Sequence, residues 1–169
     1  MEAYVAGSAE AFGLLYDQIS PRLFGYLLRL TGQRDRAEDL LQVTFAKLHR
    51  ARKSYLLGAP VLPWTFAIAR RAFLDERRRR KSRREDLSAD GTLPEPESEA
   101  PPAVSDALEA ALRRLPENYR EAIILTKLTG LSVAEAAQVL GTTPTAVKLR
   151  VHRGYNELRS SLEEYQRTK

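Results

Sequence analysis

Apolar residues recur every three or four positions along most of this chain, and that spacing predicts helices. Between Ser8 and Leu30, Phe12, Leu15, Tyr16 and Ile19 mark one apolar face, and Leu23, Phe24, Leu27, Leu28 and Leu30 mark the next. Ser20-Pro21 separates them, so two helices are predicted, with Ser8 and Ser20 as caps and Thr31-Gly32 as the end. A third helix is predicted from Asp35 to about Arg52. Ala37, Leu40, Leu41, Thr44, Phe45 and Leu48 form its inner side, while Asp39, Gln42, Val43, Ala46 and Arg50 face away. Lys53 to Pro63 reads as a loop, broken by Gly58, Pro60 and Pro63. A fourth helix is predicted from Trp64 to about Ser82. Its apolar residues Ile68, Ala72, Phe73 and Leu74 make no single stripe, which implies burial on more than one side, and Trp64 is expected in the core.

From Glu85 to Ala103 the character changes. Asp86, Asp90, Glu95, Glu97 and Glu99 alternate with Pro94, Pro96, Pro101 and Pro102, and no lysine or arginine interrupts them. Such a composition cannot bury enough apolar area to fold alone, so it reads as a linker. Ser105 or Asp106 then caps a short helix, Ala107 to Leu115. Three further helices are predicted between Leu115 and Leu158. The first runs from Glu117 to about Thr129 and ends at Gly130. The second is capped by Ser132, with Glu135 completing a capping box, and stops at Gly141. The third is capped by Thr142 or Thr143 and admits Pro144 in its first turn. Two helices joined by a short glycine-containing turn make a helix-turn-helix, whose second helix can lie in the DNA major groove.

The last helix has two distinct faces. Val147, Val151, Gly154, Tyr155, Leu158 and Leu162 are predicted inward; Thr145, Lys148, Leu149, His152, Arg153 and Asn156 are predicted outward. A solvated outer face has no need of Leu149. A leucine there can sit against a thymine methyl, while Lys148 and Arg153 reach guanine edges or phosphates. The expected fold class is therefore all-α. Two small helical domains, residues 1–84 and 105–169, are joined by a flexible acidic, proline-rich linker, 85–104, and the C-terminal domain is a helix-turn-helix.

Charge supports an anionic partner. The 169 residues carry a formal net charge of +5 and a sequence pI of about 9.6. Much of the positive charge is concentrated in Arg77, Arg78, Arg79, Arg80, Lys81, Arg83 and Arg84, a run able to attract phosphates. With no cysteine, disulfides and thiolate metal sites are excluded and a cytosolic setting is expected. The N-terminus, MEAYVAGSAEAFGLLYDQ, is acidic and does not read as a signal peptide, and no apolar run is long enough to span a bilayer. No phosphate loop or nucleophile motif occurs, and His49 and His152 fall in different predicted domains. No enzyme activity, cofactor, metal or small-molecule substrate is expected.

Specific stretches carry a resemblance. LP at Leu115-Pro116, GLSVAEAAQVLG and TAVKLRVHRG are similar to region 4 of bacterial sigma factors, where GTVKSRLHRA is typical. AEDLLQVTFAKLHR resembles the polymerase-binding helix of sigma region 2, typically AEDLVQETFLRLHR. PWTFAIARRAFLDERRRR resembles the promoter-melting part of that region, typically PWLYRIARNLALDELRRR. Their order, covering nearly the whole chain, resembles the extracytoplasmic-function (ECF) sigma factors, which join regions 2 and 4 by a linker.

The resemblance implies specific roles. Thr145, Lys148, Leu149, His152 and Arg153 would read the −35 duplex. Tyr55, Leu56, Leu57, Gly58, Ala59, Arg71, Arg77 and Arg78 would engage the −10 strand. Asp39, Gln42 and Val43 would dock core RNA polymerase. The chain departs from the family at Val43, where an acid is usual, at Arg71, where asparagine is usual, and in the apolar loop before Trp64. The implied partners are core RNA polymerase, promoter DNA and an anti-sigma factor, often membrane-bound. The linker either occupies the polymerase's RNA-exit path or acts as a passive tether. The competing readings are a stand-alone LuxR-like helix-turn-helix regulator and a helical protein-interaction module with incidental basicity.

Overall fold

The computed structural model describes residues 1–87 and 106–167. The elements are α1 (Glu2–Val5), α2 (Ala9–Thr31), α3 (Arg34–Ala51), a 3-10 turn (Arg52–Ser54), α4 (Val61–Leu87), α5 (Asp106–Arg114), α6 (Glu117–Ile123), a π turn (Ile124–Leu128), α7 (Val133–Leu140) and α8 (Pro144–Arg167). No strand occurs among the described residues. The acidic stretch with Asp90, Glu95, Glu97 and Glu99, assigned to a linker from sequence, lies outside them.

In the first half, α2, α3 and α4 pack against one another. Leu23, Leu27, Leu48 and Phe66 are fully buried where they meet. α1 escaped the sequence reading because four residues carry no periodicity. Tyr4 anchors it, 1% exposed, with its ring 5.6 Å from Phe12 and 6.1 Å from His49.

The predicted break at Ser20-Pro21 does not occur, and α2 is one helix running through Pro21. The proline removes one backbone hydrogen bond. Pro21 and Asp17 are both exposed, so the Asp17 carbonyl left without its donor lies on the wet side of the helix. On the dry side, Ile19, Leu23, Tyr26 and Leu27 are buried at helical spacing across the proline, and that packing holds the helix together. Two further boundaries shift. α4 begins at Val61, with Pro63 in its first turn, and continues to Leu87, past the end predicted at about Ser82. Tyr16 and Tyr155, predicted inward, are 40% and 44% exposed.

In the second half, α8 packs against α5, α6 and α7. Gly154 lies where α8 passes closest to α6. A Cβ there would stand 2.7 Å from Ile123 Cδ1 and 3.2 Å from Tyr119 Cβ. The predicted helix from Glu117 to Thr129 forms, but its last turn widens into a π turn. The Thr129 N–H donates to the Ile124 carbonyl at 3.0 Å, and the Thr126 and Thr129 hydroxyls donate to the carbonyls of Ala122 and Leu125. The wider turn lets the successive residues Ile124 and Leu125 both be buried.

The halves also touch. α4 packs against α7, α2 contacts the π turn, and one apolar cluster runs from Leu23 and Phe66 to Leu125 and Leu140. Restoring the missing hydrogen bond in α2 should stabilise the chain. Pro21→Ala is expected to add about 2 kcal/mol, net of the greater freedom of the unfolded chain. Urea unfolding followed by circular dichroism measures this; an unchanged or lower midpoint would mean that the proline is accommodated in another way.

Candidate nucleic-acid interface

The helix-turn-helix is built by local signals. The Ser132 hydroxyl accepts from the Glu135 N–H at 3.2 Å, and the Glu135 carboxylate accepts from the Ser132 N–H at 2.8 Å, closing a reciprocal capping box. Gly141 ends α7 at φ 62°, a left-handed geometry that glycine adopts without strain. The Thr143 hydroxyl then accepts from the Ala146 N–H at 3.2 Å, which identifies Thr143, rather than Thr142, as the side-chain cap. Val147 is fully buried and fixes the rotation of α8. Thr145, Lys148, Leu149, His152 and Arg153 consequently share its solvent side, with Leu149 46% exposed.

The loop before α4 is shaped by an aromatic pair. Tyr55 is 7% exposed, its ring centroid lies 4.9 Å from that of Trp64, and its hydroxyl donates to the Ala59 carbonyl. Tyr55 therefore braces the loop from inside, where the sequence placed it among the strand-contacting residues. Leu56 and Leu57 project at the tip, 77% and 53% exposed, beside exposed Gly58 and partly buried Ala59. Along α4, Arg71, Arg77 and Arg78 are exposed. Arg77 lies over the Phe73 ring and pairs with Glu117, while Arg78 reaches Asp75 at 3.5 Å.

A separate face belongs to α3. Leu40, Thr44, Phe45 and Leu48 are buried, so Asp39, Gln42 and Val43 point outward, with Val43 44% exposed. Asp39 and Val43 border a groove of about 370 Å³ between α3 and α4. Two ion pairs link the groove's walls: Arg36 with Glu76 at 2.9 Å and Lys47 with Asp75 at 3.0 Å. The hydrogen bond from Lys47 holds the Asp75 carboxyl below its usual range.

Sequence reasoning missed the groups that join the halves. Tyr26 is 1% exposed, and its hydroxyl donates to Glu121 Oε1 at 2.8 Å; Arg70 Nε donates to the same oxygen at 2.9 Å. Burial, reinforced by the adjacent carboxylate, holds the Tyr26 phenol well above its usual range, so it stays a donor at neutral pH. Arg29 donates to Glu109 at 3.1 Å. One signal was available. Glu121 lies four residues before buried Leu125 and Glu109 three before buried Leu112, so each acid shares an apolar helix face and requires a partner.

Residues 15–83 match the family model described as Sigma-70 region 2, and residues 105–158 match Sigma-70, region 4. The chain is 36% identical to RNA polymerase sigma factor CarQ of Myxococcus xanthus, over 97% of this chain and 96% of that one. It is 35% identical to ECF RNA polymerase sigma factor SigL of Mycobacterium tuberculosis, over 96% and 97% respectively. Among solved structures it is similar to sigma factor RpoE of Bartonella quintana in complex with the anti-sigma factor NepR. That match has a TM-score of 0.80 and 29% identity, covering 92% of this chain and 98% of that one. It is also similar to CnrH in complex with the cytosolic domain of CnrY, with a TM-score of 0.73, 26% identity, and coverage of 95% and 92%.

Asp39 and Gln42 make no side-chain hydrogen bond or ion pair among the described residues, so the fold does not depend on them. Asp39→Ala with Gln42→Ala is expected to change stability by less than about 0.5 kcal/mol, as surface substitutions usually do. A thermal melt checks this; a clear loss of stability would assign the two side chains a structural role.

Proposed function

The chain belongs to the ECF sigma factors of bacterial RNA polymerase, and from that membership we propose how its surfaces divide the work of initiation. A sigma factor binds core RNA polymerase and directs transcription from specific promoters. The division proposed is α8 for the −35 duplex, the 55–60 loop with α4 for the −10 strand, and the outer face of α3 for core polymerase. The chain itself catalyses nothing; phosphodiester formation belongs to the polymerase. The domain boundaries proposed are 1–84 and 105–169.

The observation that carries this reading is the presence, in one chain, of a region-2 fold and a helix-turn-helix whose outer face is free. Duplex is read by Lys148, Leu149, His152 and Arg153, entering the major groove with Thr145 at the start of the helix. The −10 strand is held after its bases leave the stack. Unstacking costs a few kcal/mol, which a basic groove and an apolar loop can offset. Leu56 and Leu57 supply contact without hydrogen bonds, and Arg71, Arg77 and Arg78 supply phosphate attraction. Tyr55 acts through the loop it braces. A stand-alone LuxR-like regulator gains no support, since residues 15–83 match region 2.

One solved relative is a sigma factor in complex with an anti-sigma factor. We propose an anti-sigma partner for this chain as well, which would hold it near the membrane if that partner is membrane-bound. No helix among the described residues is long and apolar enough to cross a membrane. The chain's own place is the cytoplasm, where polymerase and promoters are.

Run-off transcription with core polymerase, followed by mapping of start sites, tests the function as a whole. Transcription from defined promoters is expected only when the chain is added, and its absence would overturn the reading. Two variants test the parts. Arg153→Ala is expected to cost about 1–3 kcal/mol on a −35 duplex if it reads a base, and to relax preference at one position. Equal weakening on all sequences would make it a phosphate contact. Asp39→Ala with Gln42→Ala is expected to lose about 2–5 kcal/mol of core-polymerase affinity. Unchanged binding in titration would move the docking surface elsewhere.

A further inference from the structure

The loop before α4 is built to hold one shape. The Ala59 N–H donates to the Leu56 carbonyl at 3.0 Å and closes a four-residue turn. Gly58 stands third in that turn at φ 85°, the sign and size of angle that a type II turn requires there. A Cβ on Gly58 would meet no atom within 4 Å, so the backbone angle, not crowding, calls for glycine. Buried Tyr55 fixes one end, with its hydroxyl on the Ala59 carbonyl and its ring against Trp64. Pro60 and Pro63, each with φ set by its own ring, fix the return into α4. Two exposed leucines, Leu56 and Leu57, are thus held out on a turn secured at both ends.

What the tip lacks decides what it can read. From Leu56 to Leu62 no side chain can donate or accept a hydrogen bond. The hydroxyls on either side, Ser54 and Thr65, donate to the carbonyls of Ala51 and Leu62 at 2.7 and 2.9 Å, within their own segments. The backbone of the turn offers donors and acceptors together, and every base edge carries both, so it selects none. Discrimination is left to apolar contact. A polar base edge pressed onto the leucines would lose water and find no side-chain partner. Thymine alone carries a methyl group on its edge, and that methyl can bury against leucine. Exposed Lys53 before the tip and exposed Arg71 on α4 after it favour a nucleic-acid strand over an apolar protein segment.

We propose that Leu56 and Leu57 read a thymine methyl, so that one position of the −10 strand is selected by apolar contact and not by a hydrogen-bond pattern. This rests on the assignment of the 55–60 loop to the −10 strand. The selection is modest, since burying one methyl group changes affinity about fourfold. It also belongs to the methyl group itself: a cytosine methylated at C5 presents the same group at the same place and gains by it, while uracil loses it.

The test uses holoenzyme and forked promoter DNA from a mapped start site, with the non-template −10 strand unpaired. Thymine is placed at each position of that strand in turn and compared with deoxyuridine, which lacks only the methyl group. At one position the parent is expected to bind thymine about fourfold more tightly than uracil, and 5-methylcytosine about fourfold more tightly than cytosine. Leu56→Ala with Leu57→Ala should bring both ratios close to one. Both side chains are exposed, so this variant should keep the parent's helical circular-dichroism signal and its affinity for core polymerase. Equal affinity for thymine and uracil at every position would overturn the methyl reading, and so would a thymine preference that survives in the double variant. If the thymine preference is absent but the double variant weakens all forked DNA alike, the loop still touches the strand and only the methyl reading has failed. If the preference is absent and the double variant binds forked DNA as the parent does, the −10 assignment of the loop fails with it.

Discussion

One buried carboxylate constrains how the molecule is assembled. Glu121 is nearly out of water, and one of its oxygens accepts from both Tyr26 and Arg70. An ionised carboxylate in such a place is tolerated only when paired and hydrogen-bonded. Tyr26 stands on α2 and Arg70 on α4, so the acid can be satisfied only where both helices present their donors together. That requirement sets the register between the halves more sharply than the apolar contact around it, which many side-chain arrangements can satisfy. Glu109 on Arg29 adds a second fixed point, and two such points leave little freedom to rotate.

Much of the architecture was legible because the chain marks it locally. The faces of α3 follow from spacing alone, and Leu40, Thr44, Phe45 and Leu48 are buried as that spacing requires. Ser132, Glu135 and Gly141 announce the helix-turn-helix by hydrogen bonds that close within four residues. What stayed hidden depends on partners distant in sequence. Pro21 looked like a break because its cost is local, while the burial that outweighs it comes from α3 and α4. Tyr55 looked like a surface contact because nothing near it in sequence announces Trp64 as its partner. Tyr155 matched the inward period of α8 but falls near the edge of its apolar arc, where it is left 44% exposed. Val147, near the middle of the arc, was placed correctly.

The surfaces divide between the halves in a way that suits a promoter read in two forms. Duplex recognition needs a rigid helix at a fixed rotation, and buried Val147 together with the capped turn provides it. Strand capture needs an apolar tip backed by cations, and the 55–60 loop followed by α4 is proposed for that role. Polymerase docking needs residues with no duty to the fold, and Asp39, Gln42 and Val43 on α3 are the ones proposed for it. On the proposed assignment, these three surfaces lie on separate faces, so that one small chain would contact a protein and two forms of DNA.

The most direct measurement places a DNA-cleaving iron chelate on a single introduced cysteine, at position 149 or at position 57, in holoenzyme bound to one promoter. The account predicts cleavage around the −35 element from position 149 and around the −10 element from position 57, about 25 base pairs apart, ~85 Å along the duplex. Cleavage from both positions at one place, or none from position 149, would contradict it.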